Sequence, residues 1–456
     1  MAIERQRVQE QDKMERRHNF DPVESNLTEE QVKLEASRCL NCKNPRCVQG
    51  CPVNIQIPQF IQAIKEGNLE KAGEIIRETS MLPSVCGRVC PQERQCEGNC
   101  VLGIKGLPVS IGALERYVGD NTKAAEPEIK PSGKKVAVIG SGCAGITAAA
   151  DLRKAGHEVV VFEALHKLGG VLRYGIPPFR LPRVVLDREI ENLKSMGVQF
   201  HTNVVVGKSI TLKQLKEDGF DAIFICSGAG LPKMLNVPGE NLNGVFSANE
   251  FLTRVNLMQA YKEETPTPLK VGKKAAIFGG GNVAMDAART AVRVGFEEVY
   301  VLYRRTEKEL PARLEEIRHA KEEGVIFKFL LAPKEIKGED GYVKSVDLEV
   351  MELGEPDASG RQRPVATGEV INMELDTVIV ALGTGPNPII QKSAKMEGLE
   401  ILTDSKGYIT VDEDKRSTSI PAIFAGGDVA PVGTSNAINA MGAGKKAAKA
   451  INELLK

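Results

Sequence analysis

Eight of the ten cysteines in this 456-residue chain fall within its first hundred positions, in two runs. The first is Cys39-x2-Cys42-x4-Cys47-x3-Cys51-Pro52, the second Cys86-x3-Cys90-Pro91-x4-Cys96-x3-Cys100. Thiols at that density constrain the N-terminal region more than any other feature, because they must be cross-linked, metallated or kept reduced. Such spacing lets several thiolates converge on one inorganic centre. A disulfide framework suits small secreted domains. This chain is long enough for about three domains, and its opening, MAIERQRVQEQDKMERRHNF, is charged throughout with no apolar export core. Structural zinc usually uses paired C-x2-C elements, often with histidine. Only one C-x2-C occurs, and His18 and His157 lie outside the cysteine region. Iron–sulfur ligation is the favoured reading, with zinc as the alternative.

Lys plus Arg and Asp plus Glu both number 60, so no global field recruits nucleic acid or an anionic membrane. No apolar stretch approaches the ~20 residues needed to span a bilayer, and a soluble, cytoplasmic protein is expected. Residues 1–121 read as helical, with apolar positions from Ile57 to Arg77 at helical spacing between the two cysteine runs. Thr122–Gly133 reads as a linker. From Lys135 the pattern becomes strand–turn–helix–strand, and after a second linker, Lys262–Lys273, it repeats. AIFICSGAG (Ala222–Gly230) and TVIVALGTG (Thr377–Gly385) mark where the chain passes between the two units. The expected fold is α/β. Two Rossmann-like dinucleotide-binding domains, one inserted in the other (134–262 with 385–456, and 270–384), follow an α-helical iron–sulfur domain (1–121).

In the first unit, Gly140-x-Gly142-x-x-Gly145 follows the apolar run Val136–Ile139 and precedes a helix. Gly140 permits the tight turn, Gly142 lets backbone approach a pyrophosphate, and Gly145 allows close helix–strand packing. The helix N-terminus adds amide donors and a positive dipole end. The next strand ends at Glu163, near the ~20-residue distance of a carboxylate that accepts ribose hydroxyl protons. That acid suits an unphosphorylated ribose, as in FAD or NAD.

The second unit has Gly279-x-Gly281-Asn282-x-Ala284, but its paired strand ends on Arg304 and Arg305 rather than an acid. A ribose 2′-phosphate would be repelled by a carboxylate and bound by guanidinium groups. NADP(H) is therefore expected here, with Lys308 a further candidate contact. NADPH yields a hydride, whereas iron–sulfur centres accept single electrons; a flavin can do both. The inferred order is NADPH, FAD, two iron–sulfur clusters in turn and an external acceptor. A disulfide reductase would need a cysteine pair beside the flavin, and Cys143 and Cys226 are single residues. No catalytic acid or base stands out, since hydride transfer between stacked rings needs alignment more than proton transfer.

The stretches SRCLNCKNPRC, CPVNIQIPQF, LPSVCGRVCPQERQCEGNC, VSIGALERYV, GGVLRYGIPPFRLP, GGGNVAMD and IFAGGDVA span nearly the whole chain. On them the chain resembles the small (β) subunit family of NADPH-dependent glutamate synthase. It is equally similar to the large subunit of NADH-dependent reduced ferredoxin:NADP oxidoreductase and the N-terminal half of dihydropyrimidine dehydrogenase. The resemblance implies that one cluster is held by Cys39, Cys42, Cys47 and Cys100. A second would be held by Cys51, Cys90, Cys96 and the carboxylate of Glu115, with Cys86 not a ligand. It implies further FAD contacts at Gly170, Leu181, Gly427 and Asp428. Finally, it implies a partner: the larger glutamate synthase subunit that forms glutamate from glutamine and 2-oxoglutarate or, as the alternative, a ferredoxin-type iron–sulfur flavoprotein in an electron-bifurcating enzyme.

Overall fold

The computed structural model describes residues 3–123, 128–356, 360, 362–433 and 435–456. Residues 124–127, inside the expected linker, and Thr434 lie outside the described residues.

The N-terminal region is built from short helices, among them Glu29–Ser37, Ile57–Lys65, Leu69–Arg77, Pro83–Val89 and Ile111–Asn121. Thr28 opens the first with a capping box to Gln31. The periodic stretch from Ile57 to Arg77 is two helices rather than one. Gly67 turns at φ +76°, and Asn68 caps the second helix by accepting from the Lys71 amide at 3.0 Å. The first buries Ile57, Phe60, Ile61 and Ile64.

Then come the strands β1 (Lys135–Ile139), β2 (Glu158–Phe162), β3 (Gln199–His201), β4 (Ala222–Ile225), β5 (Leu231–Pro232) and β6 (Val245–Ser247). They are followed by β7 (Lys274–Phe278), β8 (Glu298–Tyr303), β9 (Ile326–Phe329), β10 (Leu331–Glu339), β11 (Tyr342–Pro356) and β12 (Gln362–Glu374). The last are β13 (Thr377–Val380), β14 (Thr384–Gly385) and β15 (Ile423–Ala425). Two five-stranded parallel sheets result, in the orders β15-β4-β1-β2-β3 and β6-β13-β7-β8-β9. The central strands are apolar along most of their length, as burial on both faces requires. β5 and β14 pair antiparallel, so the chain leaves the first sheet and returns through adjacent strands.

Two features differ from the sequence expectation. β6 and the helix Ala248–Leu252 already belong with the second sheet, ahead of the Lys262–Lys273 segment expected to divide the units. That proline-bearing stretch is a loop within the second unit, tied down where the Lys273 and Lys274 amides donate to Asp376. The second unit also carries a three-stranded antiparallel sheet, β10-β11-β12. Most of β12 is exposed, so it shows no apolar run by which to recognise it.

One continuous apolar cluster joins the N-terminal helices to the first sheet's unit, including Phe60, Leu82 and Leu114 with Val138, Ile146 and Met441. The cysteine region is packed onto that unit.

Candidate functional site

Seven of the eight cysteines, with Glu115, sort by position into two cavities. The first, about 400 Å³, is lined by Cys39, Cys42, Cys47 and Cys100 with apolar walls from Ile57, Ile61, Val109 and Ile111. The second, about 350 Å³, is lined by Cys51, Cys90, Cys96 and Glu115 with Ile55, Phe60 and Ile438. The helix Ile57–Lys65 separates them, with Ile57 in both walls. Cys86 lines neither; its Sγ lies 3.4 Å from Met441 Sδ, and both residues are fully buried.

Burial disfavours the ionised forms of several groups in both sites. Burial pushes the thiols of Cys47 and Cys51 up to about 11 and that of Cys96 well above its ordinary value. Burial alone pushes Glu115 up to about 8, and its Oε1 is buried without a hydrogen-bond partner. This unpartnered carboxylate oxygen shares its cavity with the buried thiols of Cys51, Cys90 and Cys96. The residues therefore fit iron–sulfur clusters, whose thiolates a protein normally supplies.

At the first glycine loop each glycine has a distinct geometric reason. Gly140 sits at φ +114°, and a Cβ there would lie 2.5 Å from the Cys226 carbonyl oxygen. A Cβ on Gly145 would lie 1.9 Å from the Gly140 carbonyl oxygen, whereas one on Gly142 would meet nothing within 4 Å. Gly142 is also the N-cap of the helix Cys143–Lys154 and offers no capping side chain, leaving the first amides free for an anion. Glu163, the residue directly after β2, is buried and accepts from the Ser141 amide at 2.9 Å, the Ser141 hydroxyl at 2.5 Å and the Leu165 amide at 2.9 Å. The Ser141 hydroxyl in turn accepts from the Gly169 amide at 2.9 Å. A Cβ on Gly170 (φ +52°) would lie 3.0 Å from Gly142 Cα, and one on Gly427 (φ +71°) 3.1 Å from Ala144 Cβ. Gly142, Gly170 and Gly427 thus converge on the start of one helix. Asp428 follows directly, its carboxyl pushed up by burial against a hydrogen bond from Ser435. Leu181 is fully buried in the adjoining core. Sequence reasoning missed Ser141, whose only signal was a hydroxyl between two loop glycines.

The second loop repeats the pattern. A Cβ on Gly279 would lie 2.4 Å from the Ala381 carbonyl oxygen, and one on Gly281 would meet nothing within 4 Å. Ala284 is fully buried, and the helix Asn282–Val294 starts without a side-chain cap. Asn282 Oδ1 instead accepts from the Arg313 amide at 2.9 Å. The two arginines part company: Arg304 and Lys308 are exposed, while Arg305 is buried and donates from Nε to the Gln362 carbonyl at 2.8 Å.

A buried ionic cluster clasps the three regions together. Arg180, beside Leu181, donates to both oxygens of Asp286 at 2.8 Å and pairs with Glu316. Glu323 accepts from Arg289, Arg293 and Arg16. Arg313 reaches back to Gln92 at 2.9 Å. The sequence signal was present but unread: Asp286, Arg289 and Arg293 form a charged stripe along one face of an otherwise apolar helix.

Residues 16–127 match the family described as dihydropyrimidine dehydrogenase domain II, 4Fe-4S cluster, and residues 134–444 match pyridine nucleotide-disulphide oxidoreductase. The glutamate synthase (NADPH) small chain of Escherichia coli K12 is 38% identical over 455 residues, covering 96% of this chain and 94% of that one. The NADP(+)-dependent formate dehydrogenase subunit beta of Moorella thermoacetica is 38% identical over 441 residues, 90% of this chain and 60% of that one. Mycobacterium tuberculosis FprA in complex with NADPH shares the fold with a TM-score of 0.56 and 24% identity, over 72% of this chain and 84% of that one.

Proposed function

As a member of the glutamate synthase (NADPH) small-chain family, to which this chain belongs, it is an NADPH-dependent flavin and iron–sulfur oxidoreductase; we propose that it is the NADPH-oxidising subunit that supplies electrons to a larger partner forming glutamate from glutamine and 2-oxoglutarate. When bound, the flavin converts a hydride's electron pair into single electrons, which iron–sulfur clusters carry onward.

The chain's own residues hold and align these groups. Gly142, Gly170 and Gly427 leave room for the FAD pyrophosphate at an uncapped helix start, and Glu163 accepts from its ribose hydroxyls. Gly281 and the helix it opens do the same for NADPH, with Arg304 meeting the 2′-phosphate. Arg305 braces that strand end against β12 and supports the phosphate site from behind. Cys39, Cys42, Cys47 and Cys100 hold one [4Fe-4S] cluster; Cys51, Cys90, Cys96 and Glu115 hold a second, with a carboxylate harder than thiolate as its fourth ligand.

The observation that carries this reading is the wall of the second cavity, where Ile438, from the helix Ala437–Leu455 of the flavin unit, closes the space beside Cys51, Cys90 and Cys96. The flavin unit and the inner cluster site share a boundary, which suits electron passage between them.

Anaerobic affinity purification from native cells tests the role. A large chain that co-purifies and forms glutamate with NADPH supports it. A small iron–sulfur flavoprotein that co-purifies without glutamate-forming activity sinks it and moves the assignment to electron bifurcation.

A further inference from the structure

The antiparallel sheet that the sequence did not announce is fastened to the end of β8. The Leu330 amide donates to the Arg305 carbonyl at 3.2 Å, and the Met351 amide to the Leu330 carbonyl at 2.8 Å. Arg305 Nε donates to the Gln362 carbonyl at 2.8 Å, which fixes the backbone immediately before Arg363. Register then decides the side on which Arg363 stands. Val346, Leu348 and Val350 alternate along β11 on the face packed against Tyr300 and Leu302 of β8. Glu352 continues that alternation and pairs with Val365 of β12. Arg363, two residues from Val365, therefore falls on the face turned toward β8. Like Arg304 and Lys308 just beyond β8, it is exposed, and none of the three makes an ion pair among the described residues. The acids beside Lys308 are engaged elsewhere: Glu307 pairs with Lys321 at 2.6 Å, and Glu309 accepts from the Thr306 amide at 3.0 Å and its hydroxyl at 2.6 Å.

Resting on the NADPH site of the proposed function, we infer that Arg363 is a specificity-determining residue for the coenzyme, carried by β12 to the ribose 2′-phosphate that Arg304 meets from the end of β8. A dinucleotide fold ordinarily reads the ribose from the end of its second strand alone. Here a strand from a separate sheet adds a second guanidinium. A phosphate dianion has oxygens enough to accept from both, and the planar donor fork of arginine suits it better than a point charge. A ribose 2′-hydroxyl offers no such charge, so the coenzyme that lacks the phosphate gains nothing from Arg363.

The probes are 2′,5′-ADP, which carries the phosphate, and 5′-AMP, which lacks it, titrated calorimetrically into the anaerobically purified, flavin- and cluster-loaded protein. The wild type is expected to prefer 2′,5′-ADP. Arg363→Ala should bind 2′,5′-ADP ~10-fold more weakly, as loss of one charge-assisted hydrogen bond predicts, while its affinity for 5′-AMP stays that of the wild type. Arg363→Lys keeps the charge without the fork and should recover part of the loss. In steady state the Arg363→Ala defect should appear in KM for NADPH rather than in kcat. Thermal unfolding should not change, because Arg363 is exposed. Wild-type affinity for 2′,5′-ADP in Arg363→Ala, or an equal loss for 5′-AMP, overturns the inference while leaving the NADPH site in place. Equal binding of the two nucleotides by the wild type overturns the NADPH site and the inference with it, so the two failures are distinguishable.

Discussion

Alanine at Gly142 and alanine at Gly145 should produce opposite failures. A Cβ at position 145 would lie 1.9 Å from the Gly140 carbonyl oxygen, about 1.5 Å inside ordinary contact, and 3.1 Å from Cys226 Sγ. The helix Cys143–Lys154 cannot simply retreat. Its other side meets the helix Ala437–Leu455 so closely that a Cβ on Gly444 would come within 2.4 Å of the Ala144 carbonyl oxygen. Gly145→Ala should therefore destabilise the protein by the ~1–3 kcal/mol typical of overpacking, or more. Gly142 has φ −75° and ψ −171°, which alanine adopts freely, and a Cβ there meets no protein atom within 4 Å. Its methyl would enter only the space proposed for the pyrophosphate. Gly142→Ala should leave the flavin-stripped protein as stable as wild type and weaken FAD binding ~10- to 100-fold, the same overpacking energy now charged to the complex. Thermal unfolding of the stripped proteins and fluorescence titration with FAD separate the two. If Gly142→Ala binds FAD as wild type does, or loses as much stability as Gly145→Ala, the loop does not cradle a pyrophosphate.

Glu115→Ala should alter one cluster's EPR signal while Cys86→Ser leaves iron content unchanged; loss of iron in Cys86→Ser would refute the ligand assignment. Arg304→Glu should lower kcat/KM for NADPH by ~10- to 100-fold, as loss of a charged hydrogen bond predicts, with NADH little affected. Arg305→Ala should impair both coenzymes, because Arg305 also secures β12. Burial pushes Glu323 up, but hydrogen bonds from Arg293 and Arg289 outweigh it and hold the carboxyl down to about 2. Its contribution is present above the ordinary value of 4.5 and fades as pH falls toward 2. Glu323→Gln should therefore lose ~3–5 kcal/mol at neutral pH by stranding buried arginines, and its gap from wild type in urea unfolding should narrow in acid.

Much of this was legible from local sequence because glycine loops and cysteine spacing are local devices. Gly142 and Gly281 face open space for reasons the G-x-G-x-x-G/A pattern already encodes. The grouping of seven cysteines and Glu115 into two sets of four was not legible from spacing alone, because Cys100 crosses over to the first run while Cys51 joins the second. Position in space, and family resemblance, made that sorting available. The boundary between the nucleotide units was misplaced because prolines at Thr265–Leu269 mark a loop whether or not domains meet there. Arg305 looked equivalent to Arg304 in sequence; only the unanticipated β12 separates a braced guanidinium from an exposed one.

On the proposed function, the N-terminal cavities hold two iron–sulfur clusters that exchange electrons with a flavin and NADPH. Iron, sulfide, zinc and FAD should be quantified in anaerobically purified protein, followed by EPR of the NADPH-reduced sample. The account predicts about eight iron and eight sulfide atoms per FAD, as two [4Fe-4S] clusters require, with signals that appear on NADPH addition. Zinc in place of iron, or clusters that NADPH never reduces, would contradict it.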